Sequence, residues 1–81
     1  MGTMSLSVMV CDGKLVPVDQ AKVELSKRVL VATSTTDKSG LASFKLDTMF
    51  ERTNLMVWVN GKTTQTILVS SGKTCNVTYS K

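Results

Sequence analysis

Apolar and polar residues alternate along most of this chain with a period of two. The first such segment, SLSVMV, places Leu6, Val8 and Val10 on one side and serine or methionine on the other. Successive side chains of a β-strand point to opposite faces of its sheet, so this period is typical of a strand with one buried face. The pattern therefore predicts a strand that begins within a few residues of the first methionine.

Six further segments show the strand pattern and are separated by short turns: AKVELS, KRVLVATST, GLASFKL, NLMVWV, TTQTILVS and CNVTYS. Their core-facing residues are predicted to be Val23, Leu25, Ala42, Phe44, Leu46, Leu55, Val57, Val59, Cys75, Val77 and Tyr79. In KRVLVATST the residues Val29, Leu30 and Val31 are all apolar, which leaves the inward face of that strand open. Short strands about eight to twelve residues apart predict an all-β fold, either a two-sheet sandwich or a small barrel.

Three segments contain residues that are typical of tight turns. In CDGK, Gly13 is predicted to take positive φ, and in VNGK the pair Asn60 and Gly61 predicts a hairpin. In TSTTDKSGLASFKL, Asp37 is expected to accept hydrogen bonds from the backbone that follows it, with Gly40 in the left-handed region. This turn is expected to form a hairpin that fixes the register of the next strand.

The VNGK hairpin allows two registers. With a type I turn and a glycine bulge, Ile67 and Val69 join the core. Leu68 then lies outside, beside Met56 and Trp58. With a two-residue turn, Ile67 instead flanks Trp58. Both registers place Met56 and Trp58 on the face opposite the core series.

Composition and charge narrow the class of protein. Apolar residues make up 42% of the chain and charged residues 20%, as in an ordinary globular domain. The net charge is +4, but the basic residues are scattered and only Lys27 and Arg28 are adjacent. A nucleic-acid interface needs clustered cations and exposed aromatics, so no nucleic-acid partner is expected. No signal peptide or sufficiently long apolar run is visible, so no membrane association is expected either.

The sequence gives little support for a catalytic site or a metal-binding site. The chain has no histidine, which is the usual general base and metal ligand. Its six carboxylates stand singly, and the turn at Asp37 and Ser39 supplies too few oxygens for calcium. Cys11 and Cys75 are expected on opposite faces and therefore as free thiols. We expect no enzyme, no cofactor and no metal.

Two segments resemble a family signature. GKLVPVDQAKVEL followed by TTDKSGLASFKL is similar to carboxypeptidase-regulatory-like and collagen-adhesin B-type domains, in which Gly-x-Pro-Val-x-Gly-Ala-x-Val precedes Thr-Asp-x-x-Gly-x-x-x-Phe. The matching residues are Gly13, Pro17, Val18, Ala21, Val23, Thr36, Asp37, Gly40 and Phe44. One departure is Gln20, which stands where the family has glycine. With this resemblance, residues 1–81 are predicted to form one domain, a seven-stranded antiparallel Ig-like (transthyretin-like) β-sandwich.

The outward face of NLMVWV is the remaining candidate for a functional site. Met56 and Trp58 lie there, with Leu68 as their neighbour in the first register. Exposed apolar patches that contain tryptophan mark protein interfaces. The alternative is that the DTMFERT connection, with Phe50, covers this face.

The sequence therefore favours a binding or structural module over an enzyme. The leading hypothesis is a component of a large assembly such as a bacteriophage virion, in a head decoration, fibre or tail protein. Its partner is then a capsid or other assembly protein, or a second copy of the chain, and its location is the virion or the cytoplasm. The alternative is one domain of a cell-surface adhesin or carbohydrate-binding protein. Because folds of this kind serve many functions, the resemblance implies fold more than function.

Overall fold

The computed structural model describes residues 2–80, so Met1 and Lys81, the ends of the predicted domain, lie outside the described residues. The described part contains seven β-strands and a short 3₁₀ turn over Thr48–Phe50. The strands are β1 (Thr3–Cys11), β2 (Lys22–Lys27), β3 (Val29–Thr35), β4 (Leu41–Asp47), β5 (Asn54–Val59), β6 (Lys62–Leu68) and β7 (Thr74–Thr78). The predicted all-β class is confirmed, with the strands where the alternation places them.

The strands form two sheets, with the orders β4-β1-β7 and β3-β2-β5-β6. All pairs of the four-stranded sheet are antiparallel, as is the pair of β1 and β4. β1 and β7 run parallel, with Val8 opposite Cys75. The prediction of a fully antiparallel sandwich is therefore wrong for this pair. Since β6 and β7 belong to different sheets, the short connection between them crosses the sandwich and delivers β7 beside β1 in the same direction.

One hydrophobic cluster fills the space between the sheets, and it contains every predicted core-facing residue. Leu6, Leu25 and Leu55 are the largest fully buried side chains. Burial of such a side chain stabilises the fold by about 1.5–3 kcal/mol. The alternation of apolar residues is thus the main source of stability.

The Asp37 turn has the predicted geometry but a different role. The Asp37 Oδ1 accepts hydrogen bonds from the N–H groups of Ser39 (2.8 Å) and Leu41 (3.1 Å), and Gly40 has a φ of +79°. The expected hairpin is wrong, because β3 and β4 lie in different sheets. The Val10 N–H donates to the Gly40 carbonyl at 2.7 Å. The chain therefore leaves this turn along β1 instead of folding back on β3.

The two family-like segments pack against each other at this turn. Thr36 is buried, and its Oγ1 donates to the Val18 carbonyl (2.6 Å) and accepts from the Ala21 N–H (2.8 Å). A Cβ on Gly40 would lie 3.0 Å from the Cβ of Pro17, so glycine allows the close approach. Gln20, where the family has glycine, has a φ of +56°. The residues that match the family signature thus pack the loop before β2 against the Asp37 turn, which connects the two sheets.

The turn after β1 repeats the geometry of the Asp37 turn. The Asp12 Oδ1 accepts hydrogen bonds from the N–H groups of Lys14 (2.8 Å) and Val16 (3.0 Å). The prediction that Gly13 takes positive φ is wrong, because the positive φ, +64°, falls on Leu15. Leu15 stands three residues after the aspartate, as Gly40 does in the other turn. The hydrogen bonds of the aspartate, and not the position of a glycine, decide which residue is left-handed.

The predicted hairpin at Asn60 and Gly61 is confirmed. Both residues have positive φ (+50° and +82°), as a two-residue type I′ turn requires. An extra residue in β6, Thr64, forms a bulge and donates through its hydroxyl to the facing strand at 3.0 Å. One extra residue reverses the faces of the strand beyond it, so Ile67 is buried. The prediction that a two-residue turn places Ile67 beside Trp58 is therefore wrong.

Candidate functional site

The outer face of the four-stranded sheet carries the candidate residues. Directly opposite residues of neighbouring strands share a face. Trp58 is opposite Glu24 and Met56 is opposite Ser26, so all four side chains lie on the solvent side. Leu68, on β6, is a diagonal neighbour of Met56 on the same face. Met56 is 40% exposed and Leu68 is 48% exposed, so the structure brings the predicted residues together at the surface.

Leu30 joins this face, although the sequence left its orientation open. Ser26 pairs with Leu30 and Leu25 pairs with Ala32, so Val31 is an extra residue that bulges from β3. Val31 packs against the core, while Leu30 is 57% exposed on the outer face. Three consecutive apolar residues carry no periodic signal, and only the bulge decides their directions. We name the surface formed by Leu30, Met56, Trp58 and Leu68 the Trp58 face.

The Trp58 ring is tied to the neighbouring strand by a hydrogen bond. Its Nε1 donates to the Oγ of Ser26 at 2.8 Å. Since Ser26 lies diagonally from Trp58 on the neighbouring strand, the indole extends across β2 instead of projecting into solvent. The side chain is half-buried, so part of the ring remains exposed to solvent. The hydrogen bond satisfies the indole N–H and fixes the ring before any partner arrives.

Of the three shallow grooves that Trp58 lines among the described residues, two lie beside Leu30 and Met56 on the outer face of the sheet. We name the first the Trp58 groove; its lining residues are Glu24, Ser26, Arg28, Val29, Leu30, Trp58 and Gly61. The second groove runs along Met56 and Asn54 on the other side of the ring and also reaches Arg28. The apolar centre of this surface is therefore bordered by the Glu24 carboxylate and the Arg28 guanidinium.

The DTMFERT connection does not cover the Trp58 face. Phe50 packs against the core cluster, and it lines neither of the two grooves beside Trp58. The alternative in which this loop hides the tryptophan is therefore wrong. Within residues 2–80, the face remains open.

The predicted turn residues shape the connections of the sandwich. Gly13 and Asp37 lie in the two aspartate turns, Gly40 follows Asp37, and Asn60 precedes Gly61 in the hairpin. Gly61 also borders the Trp58 groove. These residues thus set the framework, while the apolar contact area comes from the strands.

The two cysteines are free and lie on opposite faces, as predicted. Cys11 is partly exposed and Cys75 is buried. Burial raises the pKa of the Cys75 thiol, and the positive charge of Lys73 opposes this rise without cancelling it. A thiol held protonated in this way is a poor nucleophile. No group of three or more His, Cys, Asp or Glu suited to a metal ion occurs among residues 2–80.

Comparison with models of known protein families, and with curated proteins, gives no match for this chain. No helix in the described part of the chain has the length and apolar character needed to cross a membrane. The function is therefore inferred from the geometry of the chain itself.

Proposed function

We propose that this chain is a non-enzymatic binding module of a large assembly, with a bacteriophage virion as the leading case, and that it attaches through the Trp58 face. The observation that carries the proposal is the half-buried indole, held by its hydrogen bond to Ser26, on a sheet face that also exposes Leu30, Met56 and Leu68. An antiparallel sheet with one face in water normally carries polar side chains there. Here Leu30 lies in the groove beside the ring, and Met56 and Leu68 continue the apolar surface along β5 and β6. A protein partner that covers these residues accounts for their exposure.

The ring is suited to anchor such a contact. Interface tryptophans that act as hot spots contribute about 2 kcal/mol or more to binding. A ring already fixed by a hydrogen bond loses little conformational freedom when the partner docks. Glu24 and Arg28 at the border offer one charge of each sign, which favours a defined orientation of the partner.

The finer fold class that we propose is the transthyretin-like sandwich implied by the family resemblance. The packing of the two signature segments through Thr36 and Gly40 supports it, as does the positive φ of Gln20 where the family has glycine. A constant-type immunoglobulin domain has its first, second, fourth and fifth strands in one sheet. In this chain β1 and β4 lie in one sheet and β2 and β5 in the other, which favours the transthyretin-like assignment.

The test has two stages. Virions are first purified by density gradient from a lysate of the source, and their content of this chain is measured by mass spectrometry. Purified parent and variant chains are then rebound to particles stripped of the chain. Trp58→Ala is expected to bind about thirtyfold more weakly. The matched control is Met49→Ala, which removes an apolar side chain that is 74% exposed on a different part of the molecule.

Melting curves separate binding from folding. If Trp58→Ala is unfolded, Trp58→Phe takes its place, because it keeps an aromatic ring while removing the N–H that bonds to Ser26 and part of the contact area. The Trp58 emission of the parent is expected to shift to shorter wavelength on binding. Absence of the chain from purified particles overturns the virion assignment. Normal binding by a folded Trp58→Ala variant overturns the role of the Trp58 face.

Carbohydrate binding, as in a surface adhesin, is the second candidate. The exposed part of the indole lies in a groove with Glu24 and Arg28, which offers a surface for stacking of a sugar ring and groups for polar contacts. Titration of Trp58 fluorescence with monosaccharides and oligosaccharides tests it. A saturable change that Glu24→Gln weakens favours this candidate, and an unchanged spectrum at millimolar sugar excludes those sugars.

A further inference from the structure

The side chain of Leu15 does not contribute to the hydrophobic core of the fold. Its φ is +64° and its side chain is 81% exposed. A left-handed conformation brings the Cβ of an L-residue too close to the backbone, so it favours glycine. The equivalent position of the Asp37 turn is indeed Gly40. The other non-glycine residues with positive φ in residues 2–80 are all polar: Gln20, Arg28, Arg52 and Asn60.

The loop presents Leu15 and Val16 on a fixed backbone, and we name these two residues the Leu15 tip. Val16 is 53% exposed. The Asp12 carboxylate holds the N–H groups of Lys14 and Val16, and the Asp12 N–H donates to the Val16 carbonyl at 2.9 Å. A loop already fixed in one conformation loses little entropy when it binds. The tip is thus an apolar protrusion prepared for contact.

We propose that the Leu15 tip of one copy docks into the Trp58 groove of a second copy. The proposal rests on the proposed function, since it makes a second copy one partner of the Trp58 face. Val29, Leu30 and Trp58 contribute apolar side chains to the lining of the groove. The tip is a loop and the groove lies on a sheet, so the contact joins two different surfaces. A contact of this kind repeats from copy to copy and builds an open chain or a closed ring.

Charges at the two surfaces favour a second copy over other apolar partners. Lys14 precedes the tip and Asp19 follows it in the same loop. Glu24 and Arg28 border the groove. Docking therefore allows Lys14 to approach Glu24 and Asp19 to approach Arg28, and such pairs set the orientation of a complex.

Sedimentation velocity of the purified chain over a wide concentration range is the test. The sedimentation coefficient of the parent is expected to rise with concentration. Two variants each remove one half of the contact: Leu15→Asn alters the tip, and Leu30→Glu alters the groove. Asparagine tolerates the left-handed conformation, so Leu15→Asn is expected to melt at or above the temperature of the parent. Each variant alone is expected to self-associate about thirtyfold more weakly.

An equimolar mixture of the two variants gives the decisive result. The Leu15→Asn copy still has an intact groove and the Leu30→Glu copy an intact tip, so the mixture is expected to form heterodimers and nothing larger. If Leu30→Glu fails to fold, Val29→Lys replaces it, because Val29 is 72% exposed in the same groove.

Three results overturn the proposal: a parent that stays monomeric at its highest soluble concentration, variants that associate like the parent, or a mixture without heterodimers. A monomeric parent that still binds virions through Trp58 overturns only this proposal and leaves the proposed function standing. A chain that self-associates but is absent from virions overturns the virion assignment and leaves the present proposal standing.

Discussion

Replacing Gly40 with alanine tests the most tightly constrained position of the fold. Gly40 is buried and has a φ of +79°. A Cβ at this residue lies 2.5 Å from the Val10 carbonyl oxygen and 3.0 Å from the Cβ of Pro17. The closest atom belongs to the backbone of a buried strand, so it cannot move aside as the end of a side chain can. Separation of the two segments would also break the hydrogen bond from the Val10 N–H to the Gly40 carbonyl.

Three effects contribute to the expected loss of stability. The left-handed conformation of an L-residue costs roughly 1–2 kcal/mol. Overpacking against a dense interior costs about 1–3 kcal/mol, and a weakened hydrogen bond adds about 0.5–1.5 kcal/mol. The free energy of unfolding should therefore fall by about 3–6 kcal/mol, which is a large part of the roughly 5 kcal/mol available to a small domain.

Gly72→Ala is the matched control. Gly72 has a similar φ of +73°, but its Cβ would meet nothing within 4 Å. Only the conformational effect applies there, so the expected loss is roughly 1–2 kcal/mol. Urea unfolding followed by Trp58 fluorescence measures both variants, and calorimetry gives the melting temperatures, which should fall by about 4–8 °C per kcal/mol. If Gly40→Ala loses no more stability than Gly72→Ala, the contact with Val10 does not constrain the fold.

Three further predictions concern the stability of the fold and the reactivity and pH dependence of its thiols. Gln20→Gly should raise the free energy of unfolding by up to about 1 kcal/mol, because glycine removes the strain of a positive φ at an exposed residue; a less stable variant in urea would show that the Gln20 side chain supports the loop. In the native protein a thiol reagent should label Cys11 faster than the buried Cys75, whereas both should react in denaturant without a reductant; a single label there would contradict free thiols. The Cys75 pKa is raised on folding, so its contribution to stability is complete below the ordinary thiol pKa and is lost as the pH rises through the folded value. Cys75→Ala should flatten this alkaline decline measured by urea unfolding, and an undiminished decline in the variant would contradict the assignment to Cys75.

Much of the candidate site was accessible from the sequence because the side on which a strand residue lies is a local property. Met56 and Trp58 alternate with Leu55 and Val57, so their outward direction followed from their neighbours alone. The outward direction of Leu30 and the hydrogen bond between Trp58 and Ser26 could not be predicted from neighbouring residues. Both depend on how β2, β3 and β5 align, and the bulge in β3 is visible only in the pairing.

Local patterns were sufficient to place the strands, the buried faces of all strands except β3 and β6, and the hydrogen bonds of the Asp37 turn, because each of these involves residues only a few positions apart. The tertiary structure alone decided that this turn crosses between sheets, that β7 lies parallel to β1, and that bulges at Val31 and Thr64 reverse the faces of their strands. The left-handed residue of the first turn is Leu15, and not Gly13 as the sequence predicted. Which strands pair, and in which register, depends on contacts between residues far apart in the chain. Their free energies are set by the packing of the two sheets around one core, and no local pattern of apolar and polar residues contains that information.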